Sequence, residues 1–336
     1  MIYDVIIIGS GPAGLTASIY CQRFALKTVV VAGRAWGGQL MNTTDVENFP
    51  GMGQIMGPEL MQKMRDHVTH LEIPILDVWA ERIEGTKSPF TVTLEEGKTI
   101  QGKAVIVATG ADTKWLGVPN ETRLRGKGVS ACAPCDAFFF RGKPVAVVGG
   151  GDTAMEETQV IANVASDVVL IHRRDEFRAQ TAMVEKVKSK KNVHFLYNTK
   201  VVDVVGDPTL TGVLLETESI SPKQGVKSLE ELIALFAGEK KNGNQWILPR
   251  AGVFVAIGLV PNTKFLQGLD VDPHGYLKRV EEHDVNGTIS YFTKTRIPGI
   301  FTAGDVHDAR YKQAITASGF GAMAALDVER WLSENE

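Results

Sequence analysis

The chain has 336 residues, more than one hydrophobic core usually supports, so two domains are expected. With 44% hydrophobic and 22% charged residues it has the composition of a folded globular protein, not a disordered or fibrous one. A formal net charge of -3 gives no basic field for nucleic acid. Apolar runs such as residues 5–8 and 29–32 fall far short of the roughly 20 residues of a membrane helix.

The chain opens on Met1-Ile2-Tyr3-Asp4, with no basic leader and no small-residue cleavage site. Its cysteines, Cys21, Cys132 and Cys135, are too few for a disulfide framework. Both features predict a cytoplasmic protein.

The first expected element is a buried strand over residues 4–8, followed by Gly9-Ser10-Gly11-Pro12-Ala13-Gly14, a helix over 15–24 and a strand over 27–32. In this order Gly9 allows a tight turn, Gly11 lets backbone approach a pyrophosphate, and Gly14 lets the helix pack on the strand. The helix N-terminus then offers free N–H groups and a positive dipole to the phosphate. No Asp or Glu ends the second strand, where Ala32-Gly33-Arg34 stands, so the usual ribose acceptor is missing. Gln39 and Asn48 are the candidate polar contacts in its place. An amphipathic helix is expected over 57–71, with strands over 90–94 and 104–108.

Beyond Pro119 and Cys132-Ala133-Pro134-Cys135 the opening pattern recurs. An apolar strand over 144–148 leads into Gly149-x-Gly151-x-x-Ala154, a helix running toward Asn163, and a strand over 167–171. Gly151, Asp152, Thr153 and Ala154 open this second helix. Its partner strand ends in His172-Arg173-Arg174, with Arg178 close behind. Guanidinium forks there suit the 2′-phosphate of NADPH, where an acid would favour NAD. Two nucleotide sites imply a relay, and a flavin is the usual intermediary between a hydride donor and a disulfide.

Residues 221–244 read as a surface insertion whose short helix is opened by Ser228-Leu229-Glu230-Glu231, a capping-box pattern. Further strand signals lie at 252–257 and 299–303, the latter running into Gly304-Asp305, and a helix over 314–331 closes the chain. The second nucleotide fold is complete by about residue 250, so the C-terminal segment joins the first. The fold class is therefore α/β, with two Rossmann-like dinucleotide-binding domains of which the first is discontinuous. The expected boundaries are 1–113 and 250–336 for the first domain, and 114–249 for the second, which carries the C-x-x-C.

A two-residue spacer lets two sulfurs reach bonding distance when the segment turns, with Cα atoms within roughly 7 Å. Zinc would need four ligands, and the sequence has neither a second C-x-x-C nor a Cys/His pair at finger spacing, so no metal is expected. A redox-active pair and a structural one remain as readings, the first favoured in a reducing compartment.

These motifs, with Gly37-Gly38-Gln39-Leu40, Glu47-Asn48-Phe49-Pro50-Gly51 and Gly304-Asp305-Val306, resemble the low-molecular-weight thioredoxin reductases of the bacterial, fungal and plant type along nearly the whole chain. The resemblance implies a homodimer with FAD in the first domain and NADPH in the second. It places FAD against the first glycine motif, Gly38, Gln39, Asn48, Gly304, Asp305, Gln313 and Ala314. The family commonly lacks the acid missed above. A helix starting near Ala314 would aim its N-terminus at the negative charge of reduced flavin.

For the thiols, the resemblance makes Cys135 the flavin-facing sulfur and Cys132 the one that attacks the disulfide of a thioredoxin or thioredoxin-like partner. Asp136 would be the acid/base, which requires a pKa raised from about 4. It also implies rotation of one domain about linkers, here near residues 110–118 and 248–252. The chain departs from the family at the Ala133-Pro134 spacer, at Ala137 where Gly is usual, and at the enlarged 221–244 segment. These departures bear on partner choice. They leave open a glutaredoxin-like or peroxidase-partner acceptor, a flavin thiol oxidase, or a redox-sensing flavoprotein without turnover. A panel of acceptors with NADPH separates these.

Overall fold

The computed structural model describes residues 2–42, 45–280, 282–283, 286–287 and 289–335. The chain divides into two compact units, Met1–Asp112 with Val260–Glu336, and Thr113–Leu259.

In the first unit, strands Ile75–Leu76, Thr28–Val31, Ile2–Ile8 and Thr99–Val107 lie side by side and parallel. Residues alternate between its faces as strand geometry requires: Val5 and Ile7 join one buried cluster, Ile6 and Ile8 the other. The long strand Thr99–Val107 serves two neighbours. Its residues 99–102 pair antiparallel with Phe90–Leu94, and residues 105–107 pair parallel with Ile300–Thr302.

That last pairing brings the C-terminal segment home. Helix Ala314–Glu334 then packs on helix Pro12–Arg23 so closely that a Cβ on Gly321 would stand 2.1 Å from the Ala13 carbonyl oxygen. The discontinuity is thus fixed by a strand pairing and a close helix crossing.

The second unit has a parallel sheet in the order Val129–Ser130, Gly252–Ala256, Pro144–Gly149, Asp167–Ile171, Val193–Leu196. Strand Gly252–Ala256 is wholly buried and lies between Val129–Ser130 and Pro144–Gly149. The boundary expected at 249/250 is therefore corrected: the chain returns to the first unit only after Leu259. The second linker expected near 248–252 likewise falls inside the unit, between strands Gln245–Pro249 and Gly252–Ala256. An apolar run declares a buried strand but not which sheet it joins.

One face of this sheet is covered by helix Asp152–Ile161 and by Ala133 and Ala137. The other is covered by the antiparallel strands Thr199–Val205, Gly212–Thr217 and Gln245–Pro249.

The 221–244 insertion is more than a surface elaboration. Its helix Leu229–Leu235 starts as expected, with Ser228 accepting the Glu231 N–H at 3.2 Å, while Glu231 reaches back to the Lys227 N–H at 2.8 Å. Leu232, Ile233 and Phe236 are buried in the core beside Trp246, each contributing about 1.5–3 kcal/mol.

Candidate functional site

Strand Val129–Ser130 delivers the chain to the C-x-x-C, where Cys132 caps a single helical turn, Ala133–Asp136. Proline is tolerated at the start of that turn because no intrahelical bond needs its missing N–H. Cys132 and Cys135 are joined as a disulfide, with Cα atoms 5.3 Å apart. Both are half-buried, as is Asp136.

Ser130 is the hub of the turn. Its hydroxyl accepts the Cys132 N–H at 3.1 Å and donates to Asp136 Oδ2 at 2.5 Å. Ala133 N–H donates to Glu157 Oε2 at 2.6 Å. The N–H groups of Cys135 and Asp136 return to the Cys132 carbonyl oxygen at 3.3 and 3.1 Å. Neither Ser130 nor Glu157 stood out in the sequence. A serine two residues before the pair was the one available signal. The remaining cysteine, Cys21, is buried, and burial pushes its thiol up to about 12, far from a reactive thiolate.

The first glycine turn closes tightly. A Cβ on Gly14 would lie 1.9 Å from the Gly9 carbonyl oxygen, while nothing crowds Gly11, the position left open to a ligand. Pro12 and Ala13 open the helix behind it. The buried Ser10 hydroxyl is engaged within the protein, donating to Ala32 O at 2.8 Å and accepting the Gly37 N–H at 3.1 Å. Residues distant in sequence also meet within this unit. Asn48 donates to Gln313 Oε1 at 3.2 Å, and Gln39 donates to Asp112 Oδ1 at 2.9 Å. Gly38 begins the short 3-10 helix Gly38–Asn42.

Gly304 sits against Ala13, its would-be Cβ 2.8 Å from the Ala13 Cβ. The next residue, Asp305, has a buried Oδ1 with no hydrogen-bond partner. Burial, reinforced by the Asp308 charge, pushes its carboxyl up to about 7. Gln313 caps helix Ala314–Glu334, its N–H donating to Thr316 Oγ1 at 3.2 Å. At the strand end that lacks an acid, Arg34 pairs with Glu95 at 3.0 Å and the Trp79 ring lies over Gly33. An orphaned buried carboxyl oxygen beside an open glycine turn fits the hydroxyl-rich side chain and pyrophosphate of FAD.

The second turn is built from strand Pro144–Gly149 and helix Asp152–Ile161. Ala154 is fully buried, and nothing crowds Gly151. Asp152 Oδ1 accepts the Gln180 N–H at 2.8 Å, and Thr153 is half-buried in the first helical turn. The basic run divides in two. His172 is turned inward: its ring lies against Gly150, Nε2 meets the Glu176 carbonyl at 3.0 Å, and burial holds its pKa down. Arg173, Arg174 and Arg178 are exposed. The backbone N–H of Arg178 donates to Gly150 O at 2.7 Å, which fixes that residue beside the glycine turn. Exposed guanidinium groups beside an open turn fit a phosphorylated ribose, as in NADPH.

Comparison with known proteins agrees with this geometry. The family model for pyridine nucleotide-disulphide oxidoreductases matches residues 3–321. A thioredoxin reductase of Mycolicibacterium smegmatis is 43% identical over 100% of this chain and 98% of its own. A Pseudomonas fluorescens protein named glucosaminate ammonia-lyase is 42% identical over 98% of this chain and 95% of its own. Among solved structures, the thioredoxin reductase of Giardia duodenalis superposes with a TM-score of 0.85 at 36% identity, covering 99% of both chains.

Proposed function

The chain belongs to the pyridine nucleotide-disulphide oxidoreductase family, as one of its thioredoxin reductases, and from that premise we propose which residues carry the reaction. When bound, NADPH supplies the hydride and FAD hands reducing equivalents to a disulfide. Gly9, Ser10, Gly11, Pro12, Ala13, Gly14, Gly38, Gln39, Asn48, Gly304, Asp305, Gln313 and Ala314 hold the flavin nucleotide. Gly151, Asp152, Thr153, Ala154, Arg173, Arg174 and Arg178 hold the nicotinamide nucleotide, with His172 as packing behind them.

Reduction breaks the Cys132–Cys135 bond and leaves two thiols. Cys132, as thiolate, attacks the thioredoxin disulfide, breaking its S–S bond to form a mixed disulfide and expel the other thioredoxin sulfur as a thiolate. Cys135 then attacks the Cys132 sulfur, which re-forms the internal bond and releases reduced thioredoxin. Asp136 takes the Cys132 proton and returns it to the expelled thioredoxin thiolate, and the Cys135 proton passes to the second thioredoxin sulfur as that leaves.

The observation that carries this reading is the ladder from the Cys132 N–H through the Ser130 hydroxyl to Asp136, which fixes an acid beside the sulfur pair. The reading includes a homodimer in the cytoplasm. In its favour are the family resemblance and the lack, among the described residues, of any helix long and apolar enough to cross a membrane. Sedimentation of the purified protein tests the dimer.

The decisive test is NADPH-driven reduction of a thioredoxin by the flavin-loaded protein. Cys132→Ser and Cys135→Ser are each expected to abolish it, while NADPH still bleaches the flavin. Thioredoxin reduction that survives both substitutions would overturn the assignment.

A further inference from the structure

The backbone N–H groups of the turn that holds the redox pair are all engaged. A cysteine capping a helix ordinarily gains from the N–H groups behind it, which favour its thiolate. Here each of those groups is directed elsewhere. The Cys132 N–H goes to Ser130, the Ala133 N–H to Glu157, and the Cys135 and Asp136 N–H groups to the Cys132 carbonyl oxygen; Pro134 has none. Two carboxyl groups are bonded to the same turn, Asp136 through Ser130 and Glu157 directly.

Resting on the reading of Cys132–Cys135 as the redox pair, we propose that Glu157 is a positioning residue that withholds the Ala133 amide from the Cys132 sulfur and so keeps the reduced Cys132 protonated until Asp136 takes its proton. Ala133 is fully buried, so its N–H must have an acceptor, and at 2.6 Å the Glu157 carboxyl outcompetes a sulfur for it. Glu157 is delivered by helix Asp152–Ile161, which packs on the turn. The other acids of that helix are engaged or remote from this role: Asp152 accepts from Gln180, and Glu156 is exposed. Strands Val129–Ser130 and Gly252–Ala256 bring no charged side chain. Loss of the Glu157 charge and release of the Ala133 amide both favour the Cys132 thiolate, so the two effects add in sign.

The experiment uses the full-length flavoprotein reduced with dithiothreitol and alkylated with iodoacetamide over a pH series. Modification of Cys132 is followed by peptide mass spectrometry. In Glu157→Gln, which keeps an acceptor and loses the charge, the apparent Cys132 pKa is expected to fall by about half a unit, or roughly threefold more thiolate at a given pH. In Glu157→Leu, which loses both, it falls further. An unchanged or raised pKa in Glu157→Gln would overturn the proposal, as would the reverse order of the two variants. Thermal melting by circular dichroism reports folding. If Glu157→Leu does not fold, Glu157→Gln against the native protein decides. Neither NADPH nor thioredoxin enters the measurement, so a failure here is distinct from a failure of the thioredoxin assay.

Discussion

At Gly9-x-Gly11-x-x-Gly14 the backbone closes on itself, and a C-terminal strand and helix return from nearly the far end of the chain to wall the turn with Gly304 and Gly321. At Gly149-x-Gly151-x-x-Ala154 the third position carries a methyl group, and the charged residues at the strand end stand in solvent. The same fingerprint thus serves two kinds of grip. On the proposed assignment the first would enclose its ligand with packed backbone and a buried carboxyl, which suits a cofactor that stays. The second would rely on exposed guanidinium charge, which suits one that must exchange at each turnover.

The sharpest way to break this contrast is to change one methyl group at the third position of each turn. Gly14→Ala places a carbon on the Gly9 carbonyl, backbone against backbone, with nothing flexible to give. We expect a cost of about 3 kcal/mol or more and protein that elutes colourless from gel filtration. The converse change, Ala154→Gly, leaves the second turn intact at about 1 kcal/mol, the ordinary cost of glycine in a helix.

Asp305 tests the enclosure itself. Its carboxyl is pushed up to about 7, above its value of about 4 in the unfolded chain. Below pH 4 both states are protonated and the group is neutral to stability. Between pH 4 and 7 the unfolded chain gives up its proton first, so stability falls as pH rises, and it levels off above pH 7. Flavin-stripped Asp305→Asn is therefore expected to melt higher than the stripped native protein at pH 7, by up to the ~4 kcal/mol that about three pKa units represent, at about 2–4 °C per kcal/mol, and to melt equally at about pH 3. Parallel melting curves across that window would remove Asp305 from the enclosure.

The elements legible in the sequence are those whose signals are local. The strand, glycine turn and helix at residues 2–23 follow from an apolar run meeting a glycine fingerprint, and the helix after Ser228 follows from its cap. What escaped depends on contacts between distant segments. Gly252–Ala256 is a plain apolar run, and only its hydrogen bonds to Val129–Ser130 and Pro144–Gly149 assign it to the second sheet. Gly321 sits inside a helix and earns its place by touching Ala13. Glu157 is one acid among several on an amphipathic helix, and its bond to Ala133 spans 24 positions. The basic run at 172–174 read as one feature, yet burial splits it, since a ring packs against Gly150 where a guanidinium could not be desolvated.

That split sets the expectation for the second grip. A charge-assisted hydrogen bond contributes about 1.5–3 kcal/mol, so removing one of Arg173 or Arg174 should raise the KM for NADPH roughly 10- to 100-fold. The KM for NADH, which has no 2′-phosphate, should hardly move. His172→Ala should instead lower stability without changing the ratio of the two cofactors, because its ring supports the turn from behind.

The smallest effect is the most diagnostic of exposure. Surface charges are screened over about 8 Å at physiological salt and about 3 Å at 1 M. Raising sodium chloride across that range should therefore increase the NADPH KM several-fold in the native enzyme and much less in an Arg173→Ala, Arg174→Ala double variant. Flavin dissociation, governed by enclosure, should stay flat over the same range. A flavin that leaves as readily as NADPH when salt is added would mean that both sites hold their ligands by charge, and the contrast between the two turns would fail.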